Sequence, residues 1–338
     1  MSNLDRIRVG IVGCGYQGGI LAKAVAKTQS FQFIACSDPD LAAAHKVVSA
    51  SGDSNVYASV EEMLDKNTLD VIFVATPHHL LCPVTLMAIR AGKHVLVEKP
   101  IGLIEAEAIQ IEKAAAKAGV CCEAGYSFRY LPAWQRVYEL LQTGAVGEIQ
   151  AVSGVFSLPP MQTGWKATPE TGGGPLLFLG SHLIDQILWY ISDAPVSVYA
   201  SVTHRNDTKA EETAVFQMRF ANGAIAQCIS SQASPSLLYG LNIHGRDGRI
   251  SLNPVGFLEQ EIVVSSTRLP EFKEPTTIRL PLTDDIRMVK HVAQLEAFAA
   301  AIRERCQPPI TVSDGRQVLK VIDAVFKSGQ TGQPVHLA

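Results

Sequence analysis

The chain has 338 residues, 47% hydrophobic and 18% charged, with a formal net charge of -3. That composition excludes a disordered chain, the length exceeds what one hydrophobic core commonly serves, and the absence of a basic cluster argues against a nucleic-acid partner. Seven cysteines without a CxxC pair indicate reduced thiols and a cytoplasmic setting. MSNLDRIRVG carries no signal pattern and no apolar run reaches about 18 residues, which predicts neither export nor a membrane span.

In chain order, short β-branched runs alternate first with amphipathic ones. Strands are predicted at Ile7–Val12, Phe31–Cys36, Val71–Ala75, His94–Val97 and Val120–Glu123. Between them, Ile20, Leu21, Ala24 and Val25 share one helical face, and Leu86, Met87 and Ile89 with Val84 share another. Strands apolar throughout and separated by helices belong to a parallel sheet covered on both faces. The strand IRVGIV runs into GCGYQG (Gly13–Gly18), and a helix pattern follows. In that setting the glycines let the backbone turn tightly and approach a pyrophosphate at the positive end of the helix. Asp38 ends the second strand, where a carboxylate accepts from both hydroxyls of a ribose. No arginine or lysine accompanies Pro39 and Asp40 to hold a 2′-phosphate, so NAD is expected over NADP. Asp38 capping the next helix is the plainer alternative, a job Asp40 can also do. The segment HVLVEKP ends in Glu98-Lys99-Pro100, at the strand end where ligands of open α/β sheets bind. A lysine there can donate to a substrate oxygen or stabilise an alkoxide, or simply be solvated. His78, His79 and Cys82 read as a cofactor-lining loop and helix start, since no second ligand pair has zinc-type spacing.

After about Gly125 the character changes. A helix is predicted at Pro132–Gln142, then a helical run containing GGGPLLFLGSHLIDQ. The chain is strand-rich from Val196 to about Leu282, with turns at Asn222-Gly223, Arg246-Asp247-Gly248 and Asn253-Pro254, which predicts an antiparallel sheet. Helices near Ile286–Arg305 and Ser313–Lys327 close the chain, with Ser313-Asp314-Gly315 as an N-cap region. His182 and Asp185, three apart, lie on one side of a helix, as a catalytic pair, metal ligands, or a buried histidine with a structural partner. The second histidine of HExxH is missing, which disfavours metal. Arg129 suits substrate hydroxyls or a carboxylate, or a surface ion pair. Trp165 offers a stacking face or plain packing. Ser127 and Ser181 show no histidine–carboxylate relay.

GCGYQG, the VATP of Val74–Pro77, the AGKHVLVEKP of Ala91–Pro100, and GGG followed by GSHLID together resemble the glucose–fructose oxidoreductase and inositol dehydrogenase family. GYSFRYLP (Gly125–Pro132), GAVGEI (Gly144–Ile149) and the closing SDGRQVLKVIDAVFKSGQTGQPVHL extend the resemblance over nearly the whole chain. It implies an α/β architecture: a Rossmann doubly wound domain over residues 1–124, then a domain over 125–338 for substrate binding and oligomerisation. The latter is built on a large, mostly antiparallel open-faced sheet that joins a homodimer or homotetramer. The implied activity is NAD-dependent hydride transfer between a secondary alcohol of a sugar or cyclic polyol and the nicotinamide. Two alternatives stay open: an NAD-dependent glycoside hydrolase acting by transient oxidation and elimination, and a catalytically weak NAD-binding regulatory protein. By resemblance, Gly13, Gly15 and Gly18, with Tyr16 and Gln17 in the same loop, hold the pyrophosphate and Asp38 the ribose. Thr76, Pro77 and His79 line the nucleotide, with Glu98 and Lys99 near the nicotinamide and a Lys99–Pro100 bond that is often cis. Lys99 touches the reacting hydroxyl, His182 takes its proton, and Asp185 is a substrate or histidine partner.

The chain departs from the family pattern at two positions. Relatives of the inositol dehydrogenase type carry an aspartate four residues before the histidine, where this chain has Phe178. Four apart on a helix places Phe178 beside His182, and an apolar ring there disfavours the imidazolium that forms when the histidine takes a proton. Asp185 then replaces the missing partner, or Lys99 is the main acid–base group while His182 binds, or the protein does no redox chemistry on sugars. Phe178 also offers an apolar wall to a sugar ring. The second departure is Leu81, where many relatives have histidine.

Overall fold

The computed structural model describes residues 6–51, 54–161, 163–204, 210–253, 260–280 and 285–337. The elements run β1 (Ile7–Val12), α1 (Tyr16–Lys27), β2 (Phe31–Ser37), α2 (Leu41–Ser51), β3 (Asn55–Tyr57), α3 (Val60–Lys66), β4 (Val71–Val74), α4 (His78–Arg90), β5 (His94–Glu98), α5 (Glu105–Ala118) and β6 (Cys122–Gly125). They continue α6 (Pro132–Gln142), β7 (Ile149–Ser157), α7 (Ser181–Ile191), β8 (Pro195–His204), β9 (Glu211–Phe220), β10 (Ile225–Ser231), β11 (Leu238–Gly245), β12 (Gly248–Leu252), β13 (Glu261–Ser266) and β14 (Thr276–Arg279). Two helices, α8 (Ile286–Glu304) and α9 (Val312–Thr331), and a short β15 (Val335–His336) end the chain. Among the described residues no helix is long and apolar enough to cross a membrane.

The chain divides into two compact units. One comprises Met1–Ser127 and Arg287–Gln317, the other Phe128–Ile286 and Val318–Ala338. A division at 124/125, read from a change of composition, does not register that Arg287–Gln317 returns to the first unit. In that unit the described strands form one parallel sheet in the order β3-β2-β1-β4-β5-β6. β4 is buried at every position, as expected of a strand covered on both faces. The order reverses between β1 and β4, which puts the topological switch point at the glycine loop. The core packs Ile11, Leu21, Phe31 and Phe73 with Leu295 and Phe298 of α8. The Phe31 and Phe73 rings meet edge to face at 5.5 Å. The three-residue β3, half-exposed, has no apolar run to announce it and was not predicted. β6 begins two residues later than predicted because Gly119, in the left-handed conformation, closes α5 and the Val120 amide bonds back to the Ala115 carbonyl.

The second unit holds a sheet in the order β14-β13-β12-β11-β7-β10-β9-β8-β15. Its pairs are antiparallel except β10–β7, so the mostly antiparallel expectation holds. β7 lies inside the sheet yet was not predicted, since IQAVSGVFS is broken by serine and glycine. Gly154 is there because a Cβ would sit 2.7 Å from Leu183 Cδ1 on α7. The Asn222-Gly223 turn joins β9 to β10, with Asn222 Oδ1 accepting from the Ala224 amide at 3.0 Å. Arg246 and Asp247 join β11 to β12. The Asn253-Pro254 turn and the predicted strand limit at Leu282 run into residues outside the described ones. β9 alternates: Phe216, Met218 and Phe220 are buried, while Val215 and, opposite it on β10, Ile229 are exposed. α9 is capped two residues earlier than Ser313-Asp314-Gly315 suggests. Thr311 Oγ1 accepts from the Asp314 amide at 3.1 Å, and Asp314 Oδ2 accepts from the Thr311 amide at 2.8 Å.

Candidate functional site

The glycine loop connects β1 to α1, and each glycine has a different reason. Gly13 has φ +91°, and a Cβ there would lie 2.6 Å from the Ala75 carbonyl oxygen. At Gly18 a Cβ would lie 1.9 Å from the Gly13 carbonyl oxygen, so this glycine lets α1 close on β1. Around Gly15 no atom lies within 4 Å of such a Cβ. The protein's own packing does not require glycine at 15, which leaves its backbone open to a ligand. α1 starts without a side-chain cap and without an acidic residue in its first turn, leaving its positive end for an anion. Thr76 Oγ1 and His79 Nδ1 are buried and lack hydrogen-bond partners among the described residues. This donor set fits a dinucleotide. Gly18→Ala is expected to lower the melting temperature by disrupting the loop. Gly15→Ala should leave melting unchanged and weaken NADH binding about tenfold or more, as calorimetric titration will read.

Asp38 braces this loop: Oδ2 accepts from the Cys14 amide at 2.7 Å and Oδ1 from the Asp40 amide at 2.9 Å. Asp40 caps α2 by accepting from the Ala42 and Ala43 amides at 3.0 and 3.3 Å, so the capping role falls to it. Leu81 is fully buried in α4. At the carboxyl end of β5, Glu98 is 7% exposed. It accepts from Gln17 Nε2 at 2.7 Å and from the Lys99 amide at 3.3 Å. Burial pushes its carboxyl above the usual range, opposed by the charges of Lys99 and Lys290 and by the Gln17 hydrogen bond. The Lys99–Pro100 bond is cis. Gln17, expected at the cofactor, spends its side chain on Glu98 and on His291, whose Nε2 lies 3.3 Å away.

Sequence reasoning places a helix (α8) near Ile286–Arg305 but assigns it no part at this site. Arg287, Lys290, His291 and Gln294 recur at three- and four-residue spacing along one side of it. Their partners are Tyr16 Oη, Ser127 Oγ at 2.7 Å, Gln17, and Glu123 Oε1 at 3.0 Å. The polar stripe at three- and four-residue spacing was the available signal; in the structure it includes His291, 1% exposed, and Gln294, 0% exposed.

In the second unit, His182 on α7 is 8% exposed, and the ring stacked on it is Phe128, with centroids 4.0 Å apart and planes 12° from parallel. Phe156 approaches it at 6.2 Å. Phe178 lies in a π-turn, Leu176–Gly180, that leads into α7. The π-turn widens the helix by one residue per turn at the point where the chain passes from Phe178 to His182. Lys166 Nζ stands 4.6 Å from the Phe178 ring centroid and 5.6 Å from that of Trp165. Arg129 and Asp185 meet each other: Arg129 Nε is 3.1 Å from both carboxylate oxygens and NH2 is 2.6 Å from Oδ1. Arg129 does form an ion pair, but a buried one and not the surface pair that was the alternative. The π-turn is held at its start by Glu211, whose Oε1 accepts from the Leu176 amide at 2.9 Å. Gly174, at φ +100°, leaves room for that carboxyl, since a Cβ would lie 2.2 Å from Oε2. Burial pushes the Glu211 carboxyl up to about 7, against the Leu176 hydrogen bond. The folded value exceeds the unfolded one, so this group's stabilising contribution is complete below the ordinary glutamate range and is lost as pH rises through about 7. Relative to Glu211→Gln, the wild type should therefore lose about 3 kcal/mol between about pH 4.5 and about pH 8, read from urea midpoints.

Known proteins match this arrangement along its length. A family described as an oxidoreductase family with an NAD-binding Rossmann fold matches residues 7–126, and the GFO/IDH/MocA C-terminal domain matches residues 134–251. The 1,5-anhydro-D-fructose reductase of Ensifer adhaerens is 29% identical over 299 residues, which are 85% of this chain and 85% of that protein. The scyllo-inositol 2-dehydrogenase (NADP(+)) of Bacillus subtilis (strain 168) is 26% identical over 352 residues, covering 99% of this chain and 97% of its own. The crystal structure of GenD2 from gentamicin A biosynthesis, in complex with NAD, superimposes with a TM-score of 0.88 at 26% identity, covering 100% of this chain and 98% of that one.

Proposed function

Because the chain belongs to the GFO/IDH/MocA oxidoreductase family, we propose that it is an NAD-dependent dehydrogenase acting on a secondary alcohol of a sugar or cyclic polyol. The observation that carries this is Lys99 beside the buried Glu98 at the carboxyl end of β5, in a Rossmann unit whose Gly15 faces open space. The names of the anhydrosugar and inositol relatives support the substrate class. Gly13, Gly15, Gly18 and the first turn of α1 hold the diphosphate, Asp38 the ribose, and Thr76, Pro77 and His79 the nucleotide wall. A nicotinamide held there would supply the acceptor for hydride from the carbinol carbon. Lys99 donates to the hydroxyl oxygen and stabilises its developing negative charge. His182, its ring plane held by Phe128, accepts the hydroxyl proton. Trp165 and Phe178 offer apolar surface to the substrate, and the mutually neutralised Arg129–Asp185 pair holds α7 within the second unit.

NAD is favoured over NADP by the Asp38 carboxylate, which would repel a 2′-phosphate. The domains divide the work: the first unit binds dinucleotide, and the second binds substrate and joins copies through the sheet face carrying Val215, Ile229 and Tyr199. The test is NADH absorbance over a panel of polyols, aldoses and glycosides, run with NAD and with NADP. Net NADH from a free polyol or aldose supports the reading. Release of a glycosidic leaving group without net NADH replaces it with the hydrolase, and tighter binding of NADP than of NAD sinks the Asp38 argument.

A further inference from the structure

We propose that Lys290, on the polar stripe of α8, is the residue that sets which oxidation state of the nicotinamide the site prefers, favouring the uncharged reduced ring over the cationic oxidised one. This rests on the reading of the first unit as an NAD site. In a sheet of order β3-β2-β1-β4-β5-β6 with its switch point at β1/β4, the adenosine half lies over β2 and the nicotinamide half over β4, β5 and β6. Lys290 is fastened to that second half: its Nζ donates to Ser127 Oγ at 2.7 Å, two residues past the end of β6. Its neighbour His291 reaches the Gln17–Glu98 pair at the end of β5.

The charges at this end do not cancel. Glu98 contributes one carboxyl, which burial pushes toward its neutral form, and Glu123, held by Gln294, a second one further back on β6, while Lys99 and Lys290 contribute two ammonium groups, with Arg287 one turn earlier on α8. His291 adds none. The Gln17 amide donates to Glu98 through Nε2, so the His291 Nε2 facing the same nitrogen is its acceptor, and burial holds that ring neutral. Oxidised nicotinamide is a cation and the reduced ring is not, so an excess of positive charge penalises only the oxidised form. Lys290 is the adjustable member. Burial, together with Lys99 and Arg287, pushes its ammonium down to about 8, against the pull of Glu98. Below that pH Lys290 is charged and the bias is present; above it the proton is lost and the bias weakens. Binding of the oxidised cofactor is accordingly coupled to release of a proton from this lysine.

The test is binding and needs no substrate. NADH is titrated by its fluorescence, and NAD by displacement of NADH, on the full chain at about pH 6.5 and about pH 9. For the wild type, the ratio of the NAD to the NADH dissociation constant should be larger at the lower pH. In Lys290→Met that ratio should fall about tenfold at the lower pH and lose its pH dependence. Lys290→Arg, which stays charged throughout, should keep the low-pH ratio at both values. A purely structural lysine would weaken both cofactors in proportion. An unchanged ratio in Lys290→Met, or a wild-type ratio independent of pH, overturns the proposal while leaving the NAD site intact. If the wild type binds neither NADH nor NAD, the reading beneath it falls instead.

Discussion

Lys99→Met is expected to lower kcat about a thousandfold while NADH binds within about threefold of the wild-type affinity. The reasoning starts from where β5 ends. Its last residue, Glu98, is a buried carboxylate held by Gln17, so the strand end is rigid and the next residue is delivered to the ligand side of the sheet. A methionine keeps the length and apolar stem of the lysine and removes only its charge and donors, so cofactor affinity should barely change. The alkoxide that develops as hydride leaves loses its nearest cation, and that interaction exists only in the transition state. Lys99→Arg is expected to rescue little, because a planar guanidinium cannot reproduce a compact ammonium aimed at one oxygen. Wild-type turnover by Lys99→Met would mean that this lysine does not touch the reacting hydroxyl. A parallel loss of NADH binding would mean that it belongs to the cofactor site alone.

Arg129→Met is expected to destabilise the second unit by about 3–5 kcal/mol, the common cost of leaving one charge of a buried pair without the other. Asp185 is 1% exposed and Arg129 7%, and their contact is 2.6 Å. With the guanidinium gone, the carboxylate on α7 must either stay ionised in the interior or take up a proton. Arg129→Met combined with Asp185→Leu should recover most of the loss, since an apolar pair of similar volume carries no desolvation cost. Urea midpoints for the two single variants and the double variant decide the matter. A double variant as unstable as Arg129→Met would show that the pair acts through packing. Phe128, next in the chain to Arg129, stacks on His182, so the single variant should also disturb the histidine.

The two expectations differ in how they could be reached. Lys99 was legible because HVLVEKP is a buried parallel strand with a charged end, a pattern whose meaning is local. Asp185 stands out as a polar residue in an apolar stretch and Arg129 as a charge after a strand end, but their pairing across 56 positions is not readable from the sequence. Phe178 falls in a π-turn that a four-residue count along a helix does not anticipate, and the Phe128 ring that stacks on His182 comes from 54 residues earlier in the chain. β7 was lost to its serines and glycine, although Gly154 is where α7 packs against the sheet.

By itself the sequence determined what depends on short-range periodicity and backbone chemistry. It specified the parallel αβ alternation, the strand–glycine loop–helix unit, the carboxylate ending β2 and the lysine ending β5, because each is encoded in adjacent residues. Only the tertiary structure decided what depends on distant residues meeting. It returned α8 to the first unit, set Lys290 and His291 beside Ser127 and Gln17, and closed Arg129 on Asp185. It also separated the reasons for the three glycines, two of them answering to the protein's own backbone and Gly15 to none of it. The physical reason is that burial of one apolar face is satisfied by many partners, while a buried charge or donor accepts few. Which of those few it meets is settled when the core closes.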